Sequence, residues 1–298
     1  MSYFLDFEVL VARLKIAGIE NPWREARLLV SSALKCSYAE VLALRKISLS
    51  KSAIDHVEHM ILRRCAREPL TKITGIASFW KYSFITNQDT LDPRPESEVI
   101  IETVLNYLQD KTAKLHFLDI GTGTGCLLIS CLKEYPNSTG LGIDLSKKAI
   151  AVAQKNAVIL EVADRATFIA KNWNDDVRGV FDVILCNPPY IKEDEKLSQE
   201  VLCDPKKALF GGKDGLSAYR EIFPKIRENI RPLLKPISSS KFEGVSKLNP
   251  LLFFEIGKGQ SNEVKKIAKK NGFFCYGFSK DLQKTLRVIV LHSKEKTK

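Results

Sequence analysis

Residues 115–126, LHFLDIGTGTGC, place an apolar strand directly before a loop with glycine at every second position. Glycine adopts backbone conformations that other residues resist, so such a loop can bring its backbone close to a ligand. A helix is predicted to follow from Cys126, and a helix N-terminus favours polar or anionic groups. The stretch therefore predicts a strand–loop–helix unit that binds a cofactor where the strand ends.

The rest of this part of the chain repeats the alternation of short apolar strands with helices. Further strands are predicted at GLGID (140–144), ATFIA (166–170), FDVILC (181–186) and LLFFEIG (251–257). Short apolar strands separated by helices are typical of a parallel sheet covered on both faces. The predicted fold class is therefore α/β, with a doubly wound, mostly parallel sheet.

The segment that precedes this sheet is predicted to be helical. Apolar residues recur at helical spacing from the start of the chain, and Ser37 three residues before Glu40 has the pattern of a helix capping box. The first apolar residues in this series are Phe4, Phe7, Leu10 and Leu14. Residues 1–74 are therefore predicted to form a helical bundle domain.

Two more segments complete the predicted organisation. Residues 75–92 alternate in strand fashion and are expected to form a β-hairpin linker. Residues 93–298 are predicted to form the α/β domain. Within it, the polar, proline-bounded segment 236–250 is interpreted as a surface insertion.

Composition excludes several classes of protein. No apolar run approaches the roughly 20 residues of a membrane-spanning helix, and the first residues lack the basic and apolar regions of a signal peptide. We therefore predict a cytoplasmic protein that does not enter a membrane. Seven cysteines are scattered without a Cys-x-x-Cys pair, so neither a metal site nor a disulfide framework is predicted.

Charge is unevenly distributed along the chain. The net charge is +11, and residues 231–298 carry 15 basic and 5 acidic residues, a net of +10. Such a basic segment could attract RNA, a ribosome or an acidic protein. Lysines on solvent-exposed helix faces explain the same composition. The clustering of basic residues alone does not show that this segment binds a partner.

The residue that ends the second strand narrows the choice of cofactor. Asp144 follows the glycine loop by about 20 residues, where a carboxylate can accept hydrogen bonds from both hydroxyls of a ribose. NAD and S-adenosylmethionine share that need. A dinucleotide loop has a third glycine where this chain has Cys126, so the fit to NAD is poor. Two roles stay open for Asp119, a contact with the cofactor or an anchor for the backbone of the loop.

The strand at 181–186 ends abruptly at Asn187-Pro188-Pro189-Tyr190. Ligands in open α/β sheets bind at the carboxyl ends of the strands, and two prolines stiffen the loop there. The Asn187 side-chain oxygen and the Pro188 carbonyl are two acceptors that can converge on a planar –NH₂ group, and the Tyr190 ring can lie against that group. The motif predicts a receptor for a planar amine or amide nitrogen beside the cofactor.

These residues resemble the class I S-adenosylmethionine-dependent methyltransferases and, more closely, the bacterial release factor glutamine methyltransferases. The resemblance runs nearly from end to end. Beyond the glycine loop, Asp144 and the Asn-Pro-Pro-Tyr motif, it rests on Glu68-Pro69-Leu70, Phe79-Trp80, Thr90-Leu91-x-Pro93-Arg94-Pro95-Glu96-Ser97-Glu98, Asn172-Trp173, Ala208-Leu209, Glu255-x-Gly257 and Arg287. The Pro-Arg-Pro-Glu segment is far more specific than the glycine loop.

The resemblance implies a seven-stranded methyltransferase sheet, S-adenosylmethionine as cofactor, and an N-terminal substrate-recognition domain. It implies a monomer that methylates the side-chain amide nitrogen of the glutamine in the Gly-Gly-Gln motif of class I peptide chain release factors. The implied cofactor-binding residues are Gly121, Thr122, Gly123, Thr124, Gly125, Asp144, Asn172, Trp173 and Asn187. The implied catalytic and substrate-binding residues are Asn187, Pro188, Pro189 and Tyr190.

The chain departs from the family pattern at three places. Asp92 stands where an apolar residue is usual, and Asn172 stands where an acidic residue before Trp173 is common. Asn172 can still offer an oxygen to the adenine amine, but without a charge. Segment 236–250 replaces a short turn.

Two other functions fit parts of the pattern. An adenine exocyclic amine presents the same planar –NH₂ geometry, so a DNA or RNA adenine methyltransferase is the alternative, although no separate basic, aromatic-rich domain for reading a base is evident. A non-catalytic docking module with this fold would be expected to have a degraded glycine loop or Asn187 site, and both are intact.

Overall fold

The computed structural model describes residues 3–175, 177, 179–231 and 250–293. The chain divides into two compact units, residues 1–76 with 197–204, and residues 77–196 with 205–298. Sequence analysis placed residues 197–204 in the α/β domain, whereas the structure groups them with the N-terminal unit. The predicted segment 236–250 lies, except for Pro250, outside the described residues.

The first unit is a helical bundle with a two-stranded antiparallel ribbon. Phe4 lies in the first strand of that ribbon and is 76% exposed, so its predicted place in a helix is wrong. The helix begins later because Asp6 caps it, accepting a hydrogen bond from the Glu8 backbone N–H at 2.9 Å. The elements are β1 (Tyr3–Asp6), α1 (Phe7–Ile16), α2 (Pro22–Leu34), α3 (Tyr38–Leu42), β2 (Lys46–Leu49), α4 (Lys51–Cys65) and α5 (Leu70–Thr74). The Ser37–Glu40 capping box is confirmed.

Ion pairs explain why residues 197–204 belong to this unit. Lys72 Nζ lies 2.9 Å from Asp204 Oδ1, and both side chains are almost fully buried. Arg64 Nη1 lies 3.1 Å from Glu200 Oε1 and is also paired with Glu25. Buried charges need partners, so these contacts bind the segment to the bundle.

The second unit contains a seven-stranded sheet flanked by helices. It begins with a hairpin of β3 (Ile76–Phe79) and β4 (Tyr82–Ile85), followed by a 3₁₀ turn, Pro95–Ser97. The remaining elements are α6 (Glu98–Tyr107), β5 (His116–Ile120), α7 (Cys126–Glu134), β6 (Thr139–Asp144), α8 (Lys147–Ile159), β7 (Ala166–Ala170), β8 (Gly179–Val180), β9 (Val183–Cys186), α9 (Lys206–Leu209), α10 (Ser217–Asn229), β10 (Ile230–Arg231), β11 (Leu251–Glu255), α11 (Ser261–Lys270), β12 (Phe273–Lys280) and β13 (Leu286–Ser293).

The strand order in the sheet is β12-β13-β11-β9-β5-β6-β7. Neighbours from β11 to β7 are parallel, whereas β13 is antiparallel to both β11 and β12. The mostly parallel α/β fold is thereby confirmed. From β5 the chain adds β6 and β7 on one side and later adds β9 on the other side, so the order of strands reverses between β5 and β9. Such a switch point opens a crevice at the carboxyl ends of the strands.

The core lies on both faces of the sheet. On β9, Val183 packs with one hydrophobic cluster and its neighbour Ile184 with the other, since successive side chains of a strand point to opposite faces. Helices α6, α7 and α8 cover the first face, and α10 and α11 cover the second. Burial on both faces explains the continuous apolar runs of these strands.

Candidate active site

Three loops leave the sheet at the same level. Ile120 of β5 pairs with Cys186 of β9, and Cys186 also pairs with Phe254 of β11. The next residues along the three strands, Gly121, Asn187 and Glu255, are therefore neighbours across the carboxyl edge. This register brings the glycine loop and the Asn-Pro-Pro-Tyr motif together, as sequence analysis predicted.

The glycine loop has the backbone that its composition demands. Gly121, Gly123 and Gly125 all have positive φ, at +74°, +55° and +80°. A Cβ on Gly121 would meet no atom within 4 Å, whereas a Cβ on Gly125 would lie 2.9 Å from Ile129. The first two glycines therefore leave open space above the loop, and the third allows helix α7 to pack closely.

Asp144 fixes this loop at the end of β6. One carboxylate oxygen accepts the Gly123 N–H at 2.9 Å and the other accepts the Ser146 N–H at 2.8 Å. Burial raises the pKa of Asp144, and the two backbone hydrogen bonds oppose that rise. The carboxylate borders the cleft, and its unused lone pairs can accept further hydrogen bonds there.

Asp119 is placed differently from Asp144. It is fully buried beneath the loop, where its Oδ2 accepts a hydrogen bond from the Thr122 hydroxyl at 2.6 Å. Burial raises its pKa to about 7. Oδ1 has no hydrogen-bond partner within the described part of the chain. Of the two roles left open for Asp119, the geometry supports the loop anchor.

A cleft of about 730 Å³ opens over this edge of the sheet. A volume of this size suits a cofactor-sized ligand. Its wall includes predicted site residues from four separate parts of the chain: Gly121, Gly123, Asp144, Trp173, Asn187, Pro188 and Pro189. The other predicted residues do not line the cleft in the part of the chain that the structure describes: Thr122, Thr124, Gly125, Asn172 and Tyr190.

The two prolines are held in place by a close-packed backbone segment behind them. An added Cβ on Gly211 would overlap the Pro189 carbonyl oxygen, and one on Gly215 would overlap the Tyr190 carbonyl oxygen. Gln260 Nε2 donates a hydrogen bond to that Tyr190 oxygen at 2.9 Å. The motif is thus fixed by proline on one side and by close backbone packing on the other.

Tyr190 points away from the cleft into the protein. Its ring packs against the second hydrophobic cluster, and its hydroxyl donates to Oε1 of Glu255 at 3.0 Å. Burial raises the pKa of the Tyr190 phenol well above its ordinary value, and the nearby Glu255 contributes. Tyr190 therefore anchors the loop to the interior of the protein, and its predicted contact with a substrate stays a prediction.

Trp173 of the Asn172–Trp173 pair lines the cleft. The Trp173 indole N–H donates to Oε2 of Glu221 at 2.9 Å, and Asn174 donates to the same oxygen at 3.1 Å. Asn172 Oδ1 accepts the Asn174 backbone N–H at 3.0 Å. Glu221, which sequence analysis did not single out, therefore brings a carboxylate to the cleft wall beside Trp173.

The Asp92 departure has a local structural explanation. Asp92 is buried, and its Oδ1 accepts a hydrogen bond from the Thr86 hydroxyl at 2.6 Å. Thr86 is in turn hydrogen-bonded to Thr90 at 3.1 Å. Two hydroxyls thus accompany the carboxylate at a position where an apolar residue is usual.

Sequence analysis did not assign a role to Ser97 or Glu255, although both lie in motifs that carry the resemblance. Asn187 Nδ2 donates to Ser97 Oγ at 2.9 Å; burial raises the pKa of Glu255 to about 7, and the nearby Ser97 hydroxyl opposes that rise. Only the fold shows this contact, because the three residues are distant in the sequence.

The chain is similar to known proteins over most of its length. Residues 8–75 match the PrmC N-terminal domain family and residues 95–215 match the methyltransferase small domain family. A release factor glutamine methyltransferase from Rhodospirillum rubrum is 37% identical over 91% of this chain and 78% of that protein. The chain belongs to the release factor glutamine methyltransferase family.

Other proteins that are similar to this methyltransferase are also named methyltransferases. The release factor glutamine methyltransferase of Caulobacter vibrioides is 36% identical over 93% of this chain and 92% of its own. A protein named bifunctional methyltransferase from Rickettsia bellii is 33% identical over 93% of this chain and 52% of its own length. None of the helices in the described part of the methyltransferase is long and apolar enough to cross a membrane.

Proposed function

We propose that this methyltransferase transfers a methyl group from S-adenosylmethionine to the side-chain amide nitrogen of the glutamine in the Gly-Gly-Gln motif of class I peptide chain release factors. The observation that carries the proposal is the placement of Asn187 in the cleft wall, one strand away from the glycine loop and level with it. The names of the relatives support the same substrate.

The cleft has the features that S-adenosylmethionine requires. Asp144 offers carboxylate lone pairs to ribose hydroxyls, and Gly121 leaves room for a ligand against the backbone. Trp173 borders the same cleft and presents an aromatic surface. When bound, S-adenosylmethionine supplies a methyl group that is already activated by its sulfonium charge.

The protein's part in methyl transfer is to hold the substrate nitrogen. An amide nitrogen is a poor nucleophile because its lone pair is delocalised into the carbonyl. Oδ1 of Asn187 and the carbonyl oxygen of Pro188 accept its two hydrogens, which keeps electron density on nitrogen and fixes its direction. Pro189 and the backbone packed behind it restrict the movement of the loop. Catalysis therefore depends mainly on the position of the substrate and on oriented dipoles.

No dedicated base is assigned. Histidine and cysteine do not occur among the described residues that line the cleft. The proton that the amide loses leaves to solvent after methyl transfer, when the nitrogen is most acidic. The rate is expected to depend mainly on the acceptor pair.

The remaining features of the proposal concern partners. The N-terminal domain, residues 1–74, recognises the release factor, and the methyltransferase acts in the cytoplasm as a monomer. The exposed lysines of α11, Lys265, Lys266, Lys269 and Lys270, support contact between the basic C-terminal region and ribosomal RNA. Lys266 is paired with Glu263, so the other three are the better candidates for phosphate contacts.

The test uses the full chain with methyl-labelled S-adenosylmethionine and a purified release factor. The proposal expects one labelled methyl on the glutamine of the Gly-Gly-Gln motif, located by mass spectrometry, and no label when that glutamine is replaced by alanine. Label in DNA or ribosomal RNA, with none in the release factor, would instead establish the adenine methyltransferase alternative.

A further inference from the structure

A line of hydrogen-bonding groups leads from the cleft into the protein behind Asn187. Asn187 Nδ2 donates to Ser97 Oγ at 2.9 Å. Ser97 is 2% exposed and Glu255 is fully buried. Asn187 directly follows β9 and Glu255 ends the neighbouring parallel strand β11, and Ser97 belongs to the 3₁₀ turn Pro95–Ser97.

The Asn187–Ser97 hydrogen bond fixes the Asn187 side chain from the protein side. Ser97 Oγ accepts from the Asn187 –NH₂ group, so this buried hydroxyl gives the amide a partner where water is absent. Oε2 of the nearby Glu255 has no hydrogen-bond partner among the described residues. Glu255 is kept in place by the Tyr190 hydroxyl, which donates to Oε1 at 3.0 Å.

The direction of the Asn187–Ser97 hydrogen bond matters because the oxygen and the –NH₂ group of an asparagine amide have nearly the same shape. Their hydrogen-bonding character is opposite. With its –NH₂ group on Ser97, the planar amide has its oxygen on the opposite arm. Rotation by a half-turn would present a donor, not an acceptor, to the –NH₂ group of a substrate. Asn187 can hold a substrate amide only in the first orientation.

We propose that Ser97 is a positioning residue for methyl transfer, which holds the Asn187 amide with its oxygen free for the substrate by accepting a hydrogen bond from the Asn187 –NH₂ group. This inference rests on the proposed function. It assigns the Pro-Arg-Pro-Glu-Ser segment a task in the active site, although Ser97 itself lies behind Asn187 and does not line the cleft among the described residues.

The first experiment compares Ser97→Ala with Ser97→Thr in the release factor assay. Ser97→Ala removes the acceptor of the Asn187 –NH₂ group, so kcat is expected to fall by roughly 10-fold, the value of one lost hydrogen bond. KM for S-adenosylmethionine and for the release factor is expected to stay within about twofold, since neither contacts Ser97. Ser97→Thr keeps the hydroxyl and is expected to restore most of kcat.

Ser130 provides a matched control. It is a fully buried serine of helix α7 in the same unit, and its hydroxyl has no hydrogen-bond partner within the described residues. Ser130→Ala removes the same atoms from a buried site without touching Asn187, so kcat is expected to stay unchanged. A general effect of losing a buried hydroxyl would lower kcat in both alanine variants and would overturn the proposal.

A double-mutant cycle tests whether Ser97 acts through Asn187. In an Asn187→Ala background there is no amide to orient, so adding Ser97→Ala is expected to change the single-turnover rate by less than about twofold. An undiminished tenfold effect in that background would contradict the proposal, as would an unchanged kcat for Ser97→Ala in the otherwise native enzyme.

Two further observations keep the test decisive. If Ser97→Ala does not fold at the assay temperature, Ser97→Cys keeps the side-chain size and replaces the oxygen by a weak acceptor, and an unchanged kcat for that variant overturns the proposal. If the unaltered protein fails to methylate the glutamine, the proposed function fails. Activity in the unaltered protein with full activity in Ser97→Ala rejects the positioning role alone.

Discussion

Tyr190 donates a hydrogen bond from its hydroxyl to Oε1 of Glu255 over 3.0 Å. The last residue of the Asn-Pro-Pro-Tyr motif is thereby joined to the residue that ends the neighbouring strand β11. The first residue of the motif, Asn187, is held by a different side chain, since its Nδ2 donates to Ser97 Oγ at 2.9 Å. Each end of the motif is therefore anchored to a buried side chain outside the cleft wall.

Replacing Tyr190 by phenylalanine tests the direct contact. Tyr190→Phe keeps the packed ring but leaves Glu255 without this donor, so the free energy of unfolding is expected to fall by roughly 1–3 kcal/mol. Urea denaturation measures the change. Tyr82→Phe, in the hairpin of the same unit, is the control, because no described residue is hydrogen-bonded to the Tyr82 hydroxyl. An equal, small effect in both variants would show that the Tyr190–Glu255 bond contributes little.

The buried carboxylate of Glu255 predicts a dependence of stability on pH. Burial raises its pKa from 4.5 to about 7, so the folded protein favours the protonated form. Its stabilising contribution is complete below about pH 4.5 and is lost as the pH rises through about 7. Glu255→Gln is neutral throughout, so its free energy of unfolding is expected to improve relative to the unaltered protein between about pH 5 and about pH 8.

The control for this titration is Glu102→Gln, on the exposed side of α6. It makes the same chemical change where burial is absent. The stability difference between Glu102→Gln and the unaltered protein is expected to stay nearly constant over the same pH range. A constant difference for Glu255→Gln as well would show that Glu255 titrates normally in the folded state.

Asp144 is predicted to control cofactor affinity. Asp144→Asn removes the charge and replaces one acceptor oxygen by a donor that faces the Gly123 N–H or the Ser146 N–H. Charged hydrogen bonds are worth about 1.5–3 kcal/mol, so binding of S-adenosylmethionine is expected to weaken by roughly 10- to 100-fold. Isothermal titration calorimetry measures Kd. Asp164→Asn, exposed and outside the cleft wall, is expected to bind normally, and equal affinities for the two variants would refute the role of Asp144.

The Lys72–Asp204 pair is predicted to stabilise the N-terminal unit. Both side chains are almost fully buried, at 4% and 1% exposure, so Asp204→Asn removes a carboxylate charge that directly faces a buried cation. Such a change costs roughly 3–5 kcal/mol. Asp55→Asn breaks the exposed Lys51–Asp55 pair of α4 in the same unit and is expected to cost less than about 1 kcal/mol. Similar denaturation midpoints for the two variants would contradict this prediction.

The parts of the site that are continuous in the sequence could be predicted from it. Gly121 to Gly125 and Asn187 to Tyr190 each follow an apolar strand, and the carboxyl ends of parallel strands meet at one edge. The role of Ser97 could not be predicted, because it arises only when a 3₁₀ turn and two strands bring residues 97, 187 and 255 together. Tyr190 shows the same limit, since its type suits a substrate contact and the fold turns it toward Glu255.

Some elements of the fold could likewise be predicted from the sequence and others could not. Buried parallel strands such as Val183–Cys186 are marked by apolar runs and were predicted. The β1–β2 ribbon was not, because Phe4 fits the helical spacing of Phe7 and Leu10, and the Asp6 cap that ends the strand is a weak signal. Residues 197–204 join the N-terminal unit through ion pairs, which leave no periodic pattern in the sequence.

The most direct test of the account is the single-turnover rate of methyl transfer to a release factor by Asn187→Ala. If Asn187 holds the amide nitrogen, the rate falls by about 100-fold or more, as when one preorganised polar partner is lost, while folding and S-adenosylmethionine binding are largely retained. A near-normal rate would contradict the central claim, because the Asn-Pro-Pro-Tyr motif would then not be the group that positions the reacting nitrogen.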